Sequence, residues 1–250
     1  MFFHSTYNPE CVVSTVKVNQ YHIDGDVIHC ECGANVMKLA KECLNAGYAG
    51  FYGLVGLPGT VGSAIVGNAG CFDCSLSSMM LRAEVLLPDG RLVSLQKEDF
   101  GFEKRSSTMK RGELKGVIIS VDLRARKTDG DDDLDKAEKT RLYRKNHQEG
   151  PRLNLGSVFS QRTQRRNIKN VLASYSAKVL SRLLNKQYRA LLKYFLLRMY
   201  GYSDLEHYIS NRNINTFIWQ DSEAEVKFER YKEFMGKVFK DLKIEIEEKK

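Results

Sequence analysis

The sequence predicts an α+β protein built in two parts, and three observations support this prediction. The first half alternates strand-like runs with one short amphipathic helical segment. An acidic run without apolar periodicity follows it. The second half carries apolar residues at helical spacing over many turns, and then a strand, a helix and a strand. At 250 residues the chain is long enough for one large or two small domains with a real core.

The strands of the first part are predicted from alternation and turn signals. VVSTVKV at 12–18 and DVIHCEC at 26–32 are expected to pair around the turn dipeptide Asp24-Gly25. RAEVLLPDGRLVSL at 82–95 predicts a hairpin with its turn at Pro88-Asp89-Gly90, and GVIISVDLRAR at 116–126 predicts a further strand.

One helix is predicted between these strands. It begins after Asn35 as the N-cap and stops at Gly47. Its buried face is expected to consist of Val36, Leu39, Ala40 and Cys43.

The middle of the chain is predicted to be a solvated linker. The run KTDGDDDLDKAEK has no apolar periodicity, and it lacks the glycine and the glutamate that a calcium loop starting at Asp129 needs at positions 134 and 140. The linker is placed at 127–140, between a first part at 1–126 and a second part at 141–250.

A long helical stretch is predicted at 168–200, as two helices broken near Ser174–Ser176 or at Asn185. Its apolar stripe is expected to pack into the core, with the lysines and arginines of the other face in solvent. Binding to a membrane surface or to an acidic partner is the alternative role of that basic face.

The end of the chain is predicted to form a strand at 215–220, a helix from a cap at Asp221 or Ser222 to about Phe239, and a strand at 242–248. The aromatic residues expected in the core of this part are Trp219, Phe228, Tyr231 and Phe234.

Composition narrows the function classes. The chain is 42% hydrophobic and 28% charged, and no stretch approaches the roughly 20 apolar residues of a membrane helix. The start, MFFHSTYNPE, has no secretory pattern, so a cytoplasmic location is expected. A net charge of +8 leaves nucleic acid, an anionic membrane or a phosphorylated ligand open. Six cysteines permit a four-thiolate metal site, but their spacing favours reduced, mostly buried thiols and no metal.

The segment GLPGTVGSAIVGNAG at 56–70 concentrates glycine. Glycines 56, 59 and 62 are three residues apart, so backbone amides can face an anion or a flat ring without an intervening side chain. The segment follows a helix and precedes strands, which excludes the strand–loop–helix context of dinucleotide and Walker motifs. A structural tight turn is the alternative explanation.

Four motifs in one order resemble the UDP-N-acetylenolpyruvoylglucosamine reductase family, also called UDP-N-acetylmuramate dehydrogenase. The glycine segment is similar to the family's flavin-binding Gly-Ile-Pro-Gly-Thr-Val-Gly-Gly stretch that runs into Asn-Ala-Gly. FEKRSS resembles its Phe-x-Tyr-Arg-x-Ser, and GSVF at 156–159 matches its Gly-Ser-Val-Phe, with Gln148 at the place of the Gln of Gln-Pro. The ending KIEIEE is similar to its Leu-Glu-x-Glu.

The resemblance implies a fold and a reaction. The fold is a partial FAD-binding domain of the vanillyl-alcohol-oxidase type followed by an α+β substrate-binding domain, with a helical insertion at 168–200. The reaction takes hydride from NADPH through FAD and reduces the enolpyruvyl ether of a UDP-sugar to UDP-N-acetylmuramate, a cytoplasmic step of peptidoglycan synthesis. The implied partner is a UDP-sugar, with no nucleic acid and no membrane, and a monomer is the working expectation for the oligomeric state.

The resemblance also implies site residues. Arg105 and a protonated Glu247 are expected to stabilise enolate charge, and Ser157 to donate the proton to the adjacent carbon. Glu245 competes with Glu247, because the register is open by two residues. The implied FAD-binding residues are Gly56, Pro58, Gly59, Thr60, Gly62, Ser63, Asn68 and Gly70.

Departures from the family pattern keep two other hypotheses open. The family's amino-terminal Gly-Gly-Gly-Ser-Asn unit, which holds the FAD pyrophosphate, has no counterpart in the sequence, and Lys104 and Ser63 replace family residues. A degenerate flavin- or nucleotide-binding homologue without turnover is one alternative. A basic interaction protein that uses the 168–200 helices is the other.

Overall fold

A computed structural model describes residues 2–3, 8–124, 126–128, 132–150, 153–246 and 248–249. Contacts divide the chain into two compact units. The N-terminal unit is Cys11–Tyr143, and the C-terminal unit is Met1–Glu10 together with Arg144–Lys250.

The described strands and helices follow in chain order. The strands are β1 Phe2–Phe3, β2 Tyr21–Asp24, β3 Val27–Glu31, β4 Gly70–Cys71, β5 Cys74–Ser75, β6 Met80–Leu86, β7 Leu92–Gln96, β8 Val117–Arg124, β9 Asn154–Ser157, β10 Phe159–Gln164, β11 Thr216–Ile218, β12 Phe239–Ile244 and β13 Glu248–Lys249. The α-helices are α1 Val36–Asn45, α2 Val61–Val66, α3 Leu76–Met79, α4 Thr108–Arg111, α5 Asp132–His147, α6 Ile168–Leu183, α7 Tyr188–Tyr200 and α8 Ala224–Val238. Two short 3-10 turns lie at Lys97–Phe100 and Ser203–Leu205.

A five-stranded antiparallel sheet in the order β2-β3-β8-β6-β7 organises the N-terminal unit. Alternate residues of its strands, such as Ile28 and Cys30 on β3 and Val121 and Leu123 on β8, are buried in one core with α1 and α2. The opposite face is mainly polar, with Leu86, Leu92 and Val117 exposed at one end, so the sheet has one buried face and one face that is not covered by the core.

Two predicted elements of this unit are confirmed. Asn35 caps α1 by accepting a hydrogen bond from the Lys38 amide at 2.9 Å, and the four expected apolar residues of α1 are buried. The hairpin β6–β7 pairs as predicted, with Gly90 at φ 85° in its turn.

The predicted strand at 12–18 is wrong. The partner of β3 is β2, Tyr21–Asp24, which leaves a tight turn at Gly25. Val12, Val13 and Val16 are exposed, and within the described residues the segment pairs with no strand. Alternating valines predict a strand only where a neighbouring strand accepts their hydrogen bonds.

The acidic segment expected as a linker is largely helical. It belongs to α5, which starts with Asp132, Asp133 and Asp135 and ends with basic residues. This distribution complements the helix dipole, and Lys136 lies 3.5 Å from both Asp132 and Asp133. Its residues are mostly exposed, as expected of a solvated segment. The placement of charges favours a helix here, and a search for apolar residues at helical spacing does not detect it.

The C-terminal unit packs its helices against short strand pairs, β9–β11 and β10–β12, both antiparallel. Its core is aromatic. Phe217 on β11 lies 5.1 Å from Phe228 and 5.3 Å from Tyr231 between ring centroids, and Phe234 is fully buried. The predicted aromatic core is confirmed for these residues, and Trp219 is half-buried against it.

The long helical stretch forms two helices, as expected, and the break lies at Asn185, which has φ 48°. The predicted orientation of α6 is wrong. Its buried side is the short row Asn170, Ala173 and Ala177, whereas the apolar stripe that was expected to be core faces solvent. Among the described residues, no helix is both long and apolar enough to cross a membrane.

Candidate functional site

The glycine segment forms a loop that leads into the short helix α2. Gly56 and Gly59 have φ of 96° and 115°, values that residues with a Cβ rarely adopt. Thr60 is the N-cap of α2, and its amide donates to Ser63 Oγ at 3.0 Å in a capping box. The local turn chemistry therefore explains Gly56, Gly59, Thr60 and Ser63 without a ligand.

The first amides of α2 are used inside the protein. Val61 N–H donates to the Ala34 carbonyl at 2.9 Å, and Gly62 N–H donates to the Cys32 carbonyl at 2.8 Å. A Cβ on Gly62 would lie 3.0 Å from Cys32 Cβ, so glycine allows this close approach. This part of the segment is wrapped around the end of β3.

The outer side of the same loop is open. Pro58, Gly59 and Ser63 are exposed, and Gly56 and Thr60 are partly exposed. Within the described residues, the Gly59 amide donates to no protein acceptor. The loop thus presents a surface of small residues with one available donor, onto which a flat ring can pack without meeting a large side chain.

Asn68 and Gly70 end the glycine segment. Asn68 adopts φ 42°, and its Nδ2 donates to the Glu103 carbonyl at 2.6 Å. Its Oδ1 accepts a hydrogen bond from the Ser77 hydroxyl. Gly70 is required by packing, because a Cβ there would lie 2.6 Å from the Cys74 carbonyl oxygen.

Arg105 lies in a tight turn that Asn68 helps to hold. Glu103 and Ser106 exchange both backbone hydrogen bonds, at 3.1 and 3.0 Å, around Lys104 and Arg105. Arg105 takes φ 60°, an uncommon conformation for a non-glycine residue, and such strain concentrates at functional sites. A second hydrogen bond joins this turn to the glycine segment: the hydroxyl of the fully buried Ser107 donates to the Val66 carbonyl at 2.6 Å. The structure therefore brings the glycine segment and the FEKRSS motif together.

Ser157 lies at the end of β9 in the C-terminal unit. It is exposed and pairs with Thr216 of β11. The preceding Gly156 has φ 63°, and its amide donates to Asn154 Oδ1 at 2.9 Å. This turn holds the serine at the surface, where its hydroxyl is accessible to a ligand.

The glutamate predicted at Glu247 lies outside the described residues, but its competitor Glu245 is described. Glu245 N–H donates to the Val158 carbonyl at 2.8 Å, so the residue that follows β12 lies directly beside the residue after Ser157. The predicted serine and the glutamate region are neighbours in one unit. Arg105 belongs to the N-terminal unit.

Sequence reasoning missed Asn215. This buried side chain accepts from the Phe159 amide at 3.1 Å and donates to the Phe159 carbonyl at 2.8 Å, and the Asn215 carbonyl accepts from the Val158 amide at 2.9 Å. It fixes the backbone that follows Ser157. A polar residue directly before a buried strand was the available signal.

Four of the six cysteines are buried, as expected. Burial raises the pKa of the Cys30 and Cys43 thiols to about 12, so both stay protonated near neutral pH. In the described part of the chain, no group of three or more His, Cys, Asp or Glu residues is placed to hold a metal ion.

Comparisons with known proteins agree with these motifs. The family described as FAD binding domain matches residues 2–96. The UDP-N-acetylenolpyruvoylglucosamine reductase of Caldicellulosiruptor bescii is 35% identical over 152 residues, which cover 60% of this chain and 48% of the relative. That of Halalkalibacterium halodurans is 30% identical over 149 residues, covering 58% and 49%. The chain spans about half the length of these curated relatives.

A solved structure shares the fold. The crystal structure of UDP-N-acetylenolpyruvylglucosamine reductase from Thermus caldophilus aligns with a TM-score of 0.63 and 20% identity, over 93% of this chain and 75% of that one. The expected α+β fold with an FAD-binding domain is confirmed. The chain is similar to the UDP-N-acetylenolpyruvoylglucosamine reductases, as its four ordered motifs indicated.

Proposed function

We propose that this chain carries out the reaction of its relatives, the FAD- and NADPH-dependent reduction of a UDP-N-acetylglucosamine enolpyruvyl ether to UDP-N-acetylmuramate. The observation that carries the proposal is the junction of the glycine segment with the Arg105 turn through Asn68 and Ser107. These two contacts hold Arg105, in an uncommon backbone conformation, next to the end of the glycine segment, and such strain is typical of functional sites.

The residues of the loop suit a flavin. Pro58, Gly59 and Ser63 offer an open surface, and the Gly59 amide is an available donor. Gly56 and Thr60 shape this surface, Gly62 lets it pack on Cys32, and Asn68 and Gly70 hold the end of the segment through the contacts described above. When bound, FAD would supply hydride, received from NADPH, to the enolpyruvyl double bond.

Arg105 would bind the carboxylate end of the substrate. A guanidinium is charged at every accessible pH and presents donors in a planar fork that matches a carboxylate. The anchored turn fixes the Cα of Arg105. The guanidinium charge is therefore already in place where enolate charge develops, and it need not be repositioned during the reaction.

Ser157 would donate the proton that completes the reduction. Its hydroxyl is held at the surface by the Gly156 turn, and its backbone is fixed through Asn215. Glu247, in protonated form, would stabilise enolate charge, since an ionised carboxylate would repel it, and Glu245 is the alternative residue for this role. The hydrogen bond from Glu245 N–H to the Val158 carbonyl supports a glutamate just after β12 at the site. A cytoplasmic location, a monomeric state and the absence of a nucleic-acid partner remain predictions.

The test separates flavin binding from turnover. FAD reduction by NADPH and flavin reoxidation by the enolpyruvyl sugar nucleotide are followed separately by stopped-flow absorbance. Ser157→Ala should leave the first half-reaction unchanged and slow the second by about 10²-fold or more. Ser160→Ala, which removes a hydroxyl three residues away that donates to the Lys243 carbonyl, is the matched control and should stay within twofold. Equal rates for Ser157→Ala and wild type would contradict the assigned role, and bound flavin that NADPH never reduces would identify a non-catalytic homologue.

A further inference from the structure

Helix α6 has two opposite faces of different character. Its inward face is narrow and made of small residues, Asn170, Ala173 and Ala177. The outward face carries a continuous apolar stripe, defined here as Ile168, Val171, Leu172, Tyr175, Val179 and Leu183. These positions recur at spacings of three and four, which places them on one side of the helix for four turns. Ile168 is 75% exposed and Leu183 is 73% exposed.

This exposure is unusual for a surface helix. Apolar stripes normally face the core, and a contiguous exposed patch on a folded chain indicates an interaction surface. The stripe belongs neither to the glycine loop nor to the strand that carries Ser157, so the proposed reductase function does not account for it.

The charged residues of α6 and of the sequence on either side of it have one sign. Between Glu149 and Asp204 every charged residue of the sequence is Lys or Arg. Lys178 and Arg182 continue the row of Val171 and Tyr175 along the helix, and Lys186 follows at its end. Within the described residues, none of these three cations forms an ion pair with a carboxylate. The stripe is therefore flanked by positive charge that the described part of the chain does not neutralise.

We propose that the outward face of α6 binds the surface of an anionic lipid bilayer, with the stripe inserted at the headgroup boundary and the adjacent cations at the lipid phosphates. An amphipathic helix whose one apolar face includes a tyrosine and is flanked by Lys and Arg has the composition of an interfacial helix. Basic residues next to the apolar stripe add electrostatic attraction to anionic lipids. A second copy of the chain is a poor occupant, because it would bring the same positive charges together.

The test uses the whole 250-residue chain and vesicles made either of phosphatidylcholine alone or with about one third phosphatidylserine. Co-sedimentation should recover the protein with the anionic vesicles at low salt, and recovery should fall in 0.5 M NaCl and with neutral vesicles, because exposed charge interactions are screened. Leu183→Asp should lower the partition constant about tenfold or more, since it removes an inserted leucine and adds a repelled charge.

Val226→Asp is the matched control. Val226 is 66% exposed on α8 of the same unit, so the same charge is added away from the stripe and the partition constant should stay within about twofold. Circular dichroism verifies that both variants are folded. No recovery with anionic vesicles, or equal recovery of Leu183→Asp and wild type, overturns the proposal. Sedimentation velocity tests for self-association. If the chain self-associates and Leu183→Asp abolishes this, the proposal is also overturned, because a second copy would then cover the stripe.

Discussion

Asn68 joins three segments through one side chain, so its replacement measures the strength of the junction. Asn68→Ala removes the donor to the Glu103 carbonyl and the acceptor for the Ser77 hydroxyl, and it leaves a residue with a Cβ at φ 42°. Each hydrogen bond contributes about 1 kcal/mol net, and the left-handed conformation costs alanine about 1 kcal/mol more than asparagine or glycine. The expected loss in free energy of unfolding is about 3 kcal/mol.

Asn68→Gly separates the two causes. It loses the same hydrogen bonds but tolerates the positive φ, so its expected loss is about 2 kcal/mol. Urea unfolding followed by far-UV circular dichroism measures both values, and a loss of 3 kcal/mol lowers the midpoint by roughly 1–3 M at ordinary slopes. Alanine and glycine variants of equal stability would show that the positive φ costs nothing, and two variants within about 0.5 kcal/mol of wild type would show that the hydrogen bonds of Asn68 do not stabilise the fold.

Three further predictions concern other parts of the chain. Gly236→Ala in α8 should raise the free energy of unfolding by about 0.5–1 kcal/mol, since an added Cβ meets nothing within 4 Å; a lower thermal midpoint would contradict this. Burial lowers the pKa of the Lys193 amine, so the unfolded state binds more protons than the folded state at pH values between the folded pKa and 10.5. In urea titrations, the free energy of unfolding relative to Lys193→Met should therefore rise with pH across that window. A difference that stays flat or falls would show that the pKa of this amine is not lowered. Cys11, which is exposed, should react with a thiol reagent in the native protein long before Cys30 and Cys43, and equal labelling rates would show that these two are not buried.

Elements with their own local signals are predictable from the sequence. The Asn35 cap and the Pro88-Asp89-Gly90 turn are determined by neighbouring residues, and both appear where predicted. The Arg105 and glycine motifs could be identified by type and order, but their contact through Asn68 depends on folding across 35 residues of sequence.

Elements that depend on distant partners are not predictable in this way. The 12–18 segment has strand character but pairs with no strand in the described part of the chain. The periodicity of α6 correctly indicates a helix, yet the small residues Ala173 and Ala177, rather than the larger stripe, face inward. Periodicity gives the spacing of a face and not its direction, because direction is set by what the rest of the chain offers for packing.

The visible absorbance spectrum of the purified protein shows whether the glycine loop and the Arg105 turn form part of a working flavin site. After incubation with FAD and removal of free ligand, we expect protein-bound flavin bands that bleach with NADPH and return when the enolpyruvyl sugar nucleotide is added. A protein that stays colourless after incubation with excess FAD would show that the loop and the turn do not form such a site.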